Sequence, residues 1–366
     1  MTRTRSLIGA PRRQSISKLL AIALLLSCEL LAAQEKPQLT IEEDCSAFSI
    51  APDGRIAYAV RRVMHQGRWD VQRDDIWIST LEGKRTRIVN GEKLVKSALP
   101  FSYSVESLRW SPDSKRLTVQ METIEVTDTH GTTNEQTVTD LMGDDGKEIE
   151  IAGTRNSVIR DTEDATWLAD GVTVAYLAEA VKPKLLSAIG TVRPAGGRGG
   201  TIFDGHYFSA VAWLPKQNAA LAIERDRNLS GPIQLVRLDL LKENWQGVTL
   251  LDGYLGQFSV SPSGQRVAYF RDGETLEIRD LSAPEKAVRV RAVYGHYVWA
   301  PDERRVLLKR GPEKKSGDLV WVSIPDGDFS PILHDLTFRD FQISPDGRWL
   351  AVTQPGKRNL LLYPVP

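Results

Sequence analysis

One eleven-residue pattern occurs seven times along the chain, and no other feature of the sequence restricts the fold as much. It reads Phe48-Ser-Ile-Ala-Pro-Asp-Gly-Arg-Ile-Ala-Tyr58 and returns from Leu108 to Thr118, Ala165 to Ala175, Val211 to Leu221, Phe258 to Ala268, Tyr297 to Leu307 and Phe341 to Ala351. The third and fourth copies are degenerate: Ala169 replaces the proline in one, and Lys216-Gln217-Asn218 the Asp-Gly in the other. Each copy carries apolar residues at alternate positions, then a turn, then alternation again. That is two antiparallel strands joined by a tight hairpin. In the turn, proline presets φ, aspartate caps the backbone with its side chain and glycine occupies the positive-φ site.

The turn position falls at residues 52, 112, 169, 215, 262, 301 and 345, so copies are 39 to 60 residues apart. This is the length of a four-stranded propeller blade. Further strands follow the hairpins, as in Asp75–Val89, Glu274–Asp280 and Asp318–Ile324, and no long amphipathic helix occurs after residue 34. After the last copy only one more strand fits, Asn359–Tyr363, while Gln38–Glu42 stands spare before the first. Pairing the two would complete the last blade and remove free sheet edges. The expected fold is therefore all-β: a seven-bladed β-propeller closed by an N-terminal strand, one domain over residues 34–366.

The Ser-Pro-Asp-Gly hairpins with following Trp-Val-like strands resemble the TolB-type, WD-repeat-like bacterial propeller, over about residues 38–366. The resemblance implies the propeller alone. No room precedes Phe48 for the α/β domain of TolB, and no Gly-x-Ser-x-Gly elbow marks the hydrolase domain that accompanies other propellers of this kind.

Residues 1–33 read as a secretory signal. Arg3, Arg5, Arg12, Arg13 and Lys18 precede the apolar run Leu19–Leu26, and Ala32-Ala33 offers a cleavage point. Leu25-Leu26-Ser27-Cys28 resembles a lipobox, so two mature forms stay open: acylation at Cys28, or cleavage near Ala33. Either way the expected location is periplasmic or exported. The chain has 47 basic and 47 acidic residues; the signal removes five of the first and one of the second, leaving net −4. Nucleic-acid binding through bulk charge is thereby excluded. Cys45 remains as the only thiol outside the leader, so no disulfide framework and no multi-cysteine zinc site exist.

Catalytic motifs are scarce: no P-loop, no dinucleotide fingerprint after a strand and no His-Glu-x-x-His. Asp140–Lys147 lacks calcium-loop spacing and reads as a hairpin with its turn at Asp145-Gly146. Arg193–Gly200 reads as a flexible loop. The turn residues Asp53, Asp113, Asp170, Asp302 and Asp346 look like a carboxylate ring but are assigned to the hairpins themselves. Trp110, Trp167, Trp213 and Trp299, two residues before the turn, are assigned to the core.

In the propellers this repeat resembles, the strand entering each motif lines the central channel. Polar residues gather at its first positions: Ser46, Glu106-Ser107, Glu163-Asp164, Ser209, Gln257, His296 and Arg339-Asp340, with Tyr103, Arg160, His206, Tyr254 and Tyr294 just upstream. The expected ligand-binding residues at this mouth are Glu106, Glu163, Asp164, His206, Tyr254, His296, Arg339 and Asp340. The plainer reading is that they face channel water. The expected function is an exported, non-catalytic monomeric scaffold that binds a protein, peptide or glycan of the cell envelope. It has no cofactor and touches the membrane only through a lipid on Cys28. The alternative is a propeller lyase or hydrolase using His296 with Glu163, Asp164 or Asp340, or a metal held by His206 and His296.

Overall fold

The computed structural model describes residues 36–93, 101–127, 131–151, 157–181, 186–203, 205–225, 234–250, 258–270, 275–291, 296–311, 316–324, 326–356 and 358–365. Cys28 with the rest of the leader, Gln257, Tyr254 and Tyr294 lie outside the described residues.

Every copy of the motif forms an antiparallel hairpin. The pairs are Cys45–Ile50 with Ile56–Val60, Phe101–Trp110 with Arg116–Val126, Thr162–Trp167 with Val174–Val181, and Tyr207–Leu214 with Ala219–Arg225. The last three are Phe258–Val260 with Arg266–Phe270, Tyr297–Trp299 with Arg305–Arg310, and Asp340–Ile343 with Trp349–Thr353. The turn aspartates act on their own backbone: Asp53, Asp113, Asp170, Asp302 and Asp346 each accept from the N–H two residues on, at 2.9–3.2 Å. The left-handed site is filled by Gly54, Gly171, Gly264 and Gly347, but also by Ser114 at φ 59° and Glu303 at φ 58°. In the fourth copy, Pro215–Gln217 forms a 3-10 turn and Asn218 takes the left-handed position at φ 51°.

The seven hairpins do not make seven separate blades. Among the described residues the propeller consists of six sheets, five of four strands and one of eight. The reason is a single long-range contact. Leu186–Arg193, the third strand of the third copy, pairs with Tyr207–Leu214, the first strand of the fourth, at Ser187 opposite Phe208. The third and fourth copies therefore share one continuous sheet. In the last sheet the strand Leu39–Ile41 lies antiparallel to Leu360–Pro364, with Leu39 opposite Leu362 and Ile41 opposite Leu360.

Apolar residues from neighbouring sheets mesh in the gaps between them. Ile41, Phe48, Tyr58, Ala351 and Leu362 join the last sheet to the first. Ala47, Ile76, Leu108, Leu117 and Met142 join the first to the second. The four motif tryptophans are buried here, and three reach back one repeat with their Nε1–H. Trp110 donates to the Ser49 carbonyl (3.1 Å), Trp213 to Asp164 Oδ2 (2.7 Å) and Trp299 to Ser259 Oγ (2.8 Å). The turns are linked as well. Asp53 N–H donates to Ser114 Oγ, Arg116 to the Gly171 carbonyl, Ala169 N–H to the Pro215 carbonyl, Gln217 to the Pro262 carbonyl, and Arg266 to the Glu303 carbonyl.

A fully buried carboxylate sits inside the sheet of the fifth hairpin. Glu277 is fully buried and receives Tyr269 Oη (2.6 Å), Arg279 Nε (2.5 Å) and Arg289 Nε (2.9 Å). Burial alone would raise its pKa; the three donors overcome that and hold the carboxyl at about 2.

Candidate functional site

The first strands of successive hairpins touch one another: Cys45–Ile50 meets Phe101–Trp110, which meets Thr162–Trp167, and Asp340–Ile343 meets both Tyr297–Trp299 and Cys45–Ile50. They gather about a common axis, with the strand starts at one end and the hairpin turns at the other.

At the strand-start end the sheet register breaks at the same motif position in the first four copies. The shifts fall between Cys45 and Ala47, Val105 and Ser107, Thr162 and Asp164, and Phe208 and Ala210. The skipped residues are Ser46, Glu106, Glu163 and Ser209. A bulge removes a residue from the ladder and re-aims its side chain, which is why polar residues are tolerated in an otherwise apolar strand.

The predicted mouth residues are mostly engaged. Glu106 is exposed and accepts from Ser104 Oγ (2.8 Å). Glu163 accepts from Ser187 Oγ (2.7 Å). Asp164 takes two bonds from Arg109 Nη2 (2.9 and 3.0 Å) besides that from Trp213, so it ties the second, third and fourth hairpins together. His206 Nδ1 pairs with the Glu224 carboxylate. His296 Nε2 lies 3.1 Å from Asp340 Oδ1, and its ring stands edge-on to Phe341 at 4.6 Å. Local packing disfavours the His296 cation, but hydrogen bonding and charge from Asp340 outweigh this and raise its pKa above 6.5. Arg339 is exposed, and its N–H bonds the Thr353 carbonyl. Upstream, Arg160 bonds Gln136 Oε1 (2.7 Å), and buried Tyr103 donates to the Asp74 carbonyl (2.6 Å). The structure thus brings together His296 with Asp340. It brings His206 with Glu224, a residue the sequence pattern did not single out. Among the described residues no three His, Cys, Asp or Glu side chains are grouped to hold a metal.

Asp74 is a further residue missed by the sequence reading. Fully buried, it accepts from Ser46 Oγ and Val105 N–H (both 3.0 Å) and from Gln72 Nε2 (2.9 Å). Burial raises its pKa against these bonds. The available signal was the Asp74-Asp75 doublet opening a strand that is otherwise apolar.

The turn end holds a cavity of about 450 Å³. Trp213, Leu214, Pro215, Pro262, Trp299 and Pro345 are among its lining residues, with Lys216 at the rim. Its walls come from the ends of the inner strands and from the turn prolines. The prolines that shape the hairpins therefore also build an apolar recess, open to a ligand with an apolar tip.

No protein-family model matches the chain, and no curated protein is significantly similar to it in sequence. Solved structures match in fold, 1052 chains in all, so the architecture alone selects no activity. One is a chain of a mitotic checkpoint complex, 13% identical with TM-score 0.55, covering all of both chains. A second is the propeller domain of Myceliophteria thermophila Cps50 (Swd1), 13% identical with TM-score 0.58, covering 91% of this chain and all of that one. A third is the Dos1 propeller, 10% identical with TM-score 0.55, covering 90% and 94%. The chain has the fold of WD40-type β-propellers.

Proposed function

We propose that this chain is an exported protein-interaction scaffold that grips an envelope protein or peptide at one end of its channel. The observation that carries the reading is the 450 Å³ apolar cavity at the turn end, walled by Trp213, Trp299 and turn prolines. Aromatic and proline surfaces on a stiff frame bind apolar side chains of a polypeptide with little ordering cost. One structural neighbour was solved within a mitotic checkpoint complex, which agrees with a role in assembly. The leader supports export, with Cys28 acylated or the signal removed near Ala33. At the strand-start mouth, Glu106, Glu163, Asp164, His206, His296, Arg339 and Asp340 form the second face offered to a partner. A glycan is the ligand class suited to that polar rim.

The test is affinity capture from an envelope extract, with recovered proteins quantified by mass spectrometry. Pro262→Glu with Pro345→Glu places two charges at the turn-end rim; Arg339→Ala with Asp340→Ala strips the other mouth. Loss of a specific partner with the first pair alone supports the turn-end site. Loss with the second pair alone moves the site to the strand-start mouth. Equal recovery by both variants and the wild type overturns the proposal. The N-terminal peptide from the same exported protein fixes the mature start, and an intact Met1 there refutes export by this leader.

A further inference from the structure

A second cavity, of about 160 Å³, lies between the first two sheets, away from the channel strands' turns. Ile76 and Val89 of the first sheet close one side; Phe101, Tyr103, Met121 and Met142 of the second close the other. Two carboxylic residues, Asp140 and Glu148, share this apolar lining, and no basic side chain does. Asp140 is 9% exposed, and its Oδ1 has no hydrogen-bond partner among the described residues. A buried acceptor without a partner costs free energy and leaves the carboxylate's charge uncompensated within the chain. Burial pushes the Asp140 carboxyl up to about 6 against the hydrogen bond of Ser157, and the nearby Glu148 charge adds to the rise.

We propose that this cavity binds a small organic ammonium ion with an aromatic or branched apolar body, its positive charge set against the carboxylate of Asp140 in the cavity wall. Size supports the class, because a dry cavity of about 150 Å³ accommodates a benzene ring. The walls support it too: two aromatic rings and two thioethers favour a flat or rounded apolar body, and rings attract a cation at their faces. The Tyr103 hydroxyl is already committed to the Asp74 carbonyl, so that residue offers its ring alone. Two acidic groups without a basic neighbour repel an anion and leave a neutral alcohol with only one hydrogen bond to gain. The assignment does not depend on what the channel binds.

The sequence supplies a direct probe, because its four methionines are Met1, Met64, Met121 and Met142. Met121 and Met142 line the cavity, whereas Met64 lies in the strand Val63–Gln66, which pairs with Trp69–Gln72 in a separate hairpin. The full exported chain, labelled with ¹³C-methyl methionine, is titrated with benzylamine to about 10 mM, a range set by the affinity expected of so small a ligand. Saturable ring-current shifts of Met121 and Met142, with Met64 unmoved and benzyl alcohol binding at least about tenfold more weakly, are the expected result. Asp140→Asn keeps the shape; it should lower benzylamine affinity about tenfold and leave benzyl alcohol unchanged. No shift with benzylamine, equal shifts of all methionines, or equal affinity for amine and alcohol overturns the proposal. If Asp140→Asn does not fold, the wild-type comparison of amine with alcohol decides alone.

Discussion

Replacing Glu277 by glutamine tests the electrostatics of the fold with one isosteric change. The carboxylate is fully buried and takes donors from Tyr269, Arg279 and Arg289. Glutamine keeps one acceptor but turns an amide NH₂ toward a guanidinium and removes the anion between two cations. The folded-state pKa is depressed from 4.5 to about 2, a difference worth about 3 kcal/mol. Because the folded value lies below the unfolded one, that stabilisation is fully present above pH 4.5 and disappears as pH falls from there through about 2. Glutamine does not titrate. The stability gap between wild type and Glu277→Gln should therefore be about 3 kcal/mol near neutral pH and shrink by about 2 kcal/mol on going to about pH 3. Reversible urea unfolding followed by tryptophan fluorescence at stepped pH reads this gap. A gap that stays constant between neutral pH and about pH 3 would show that the depressed carboxylate is not what holds this sheet together.

Three other outcomes follow from the geometry. Asp164→Ala removes the partner of both Arg109 and Trp213 and should cost about 2 kcal/mol; Arg109→Ala added to it should cost little more, and full additivity in the urea midpoints would refute the shared link. Gly190→Ala drives a Cβ into the ring of Tyr176, directly across the strands, and should lower stability by about 1–3 kcal/mol. Removing the ring with Tyr176→Ala should abolish that cost, and a persistent cost in the double variant would locate the strain elsewhere. The His296–Asp340 pair contributes stability below pH 6.5, and the contribution fades as pH rises through the raised His296 midpoint. In Asp340→Asn the NMR titration midpoint of His296 should move down toward 6.5; an unmoved midpoint would remove Asp340 as the cause.

Whether a feature was legible in the sequence depended on how local its cause is. Each hairpin turn is set within about five residues, in most copies by a proline, an aspartate and a residue able to accept positive φ, and the flanking alternation carried the copies that lack one of these, so all seven hairpins could be read directly. The merging of the third and fourth copies rests on Ser187 meeting Phe208, and no residue type announces that contact. Strand alternation showed that Trp213 is buried but not that its Nε1–H reaches Asp164. Among the polar residues at the strand starts, the offset alone was visible; the bulges that explain it are properties of paired strands. Asp140 was grouped with the Asp145-Gly146 turn, whose hydrogen bonds are present, yet its own side chain lines a cavity between sheets. His206 and His296 were candidates for a shared metal because both stand in Gly-His-Tyr; across the strands each faces a different carboxylate.

The antiparallel seam between Leu39–Ile41 and Leu360–Pro364 also determines how the molecule bears load. Leu39 and Leu362 stand at the same end of the pair, so tension applied between the flanking segments reaches that one rung first, then Thr40 with Leu361, then Ile41 with Leu360. The rungs open one after another, like a zip, instead of resisting together in shear as they would if pulled along the strand axis. Force transmitted through the two flanks therefore meets the mechanically weakest seam in the sheet before any other is strained. A handle attached to both flanks would peel away one three-residue strand at low force and leave the neighbouring hairpins loaded only afterwards.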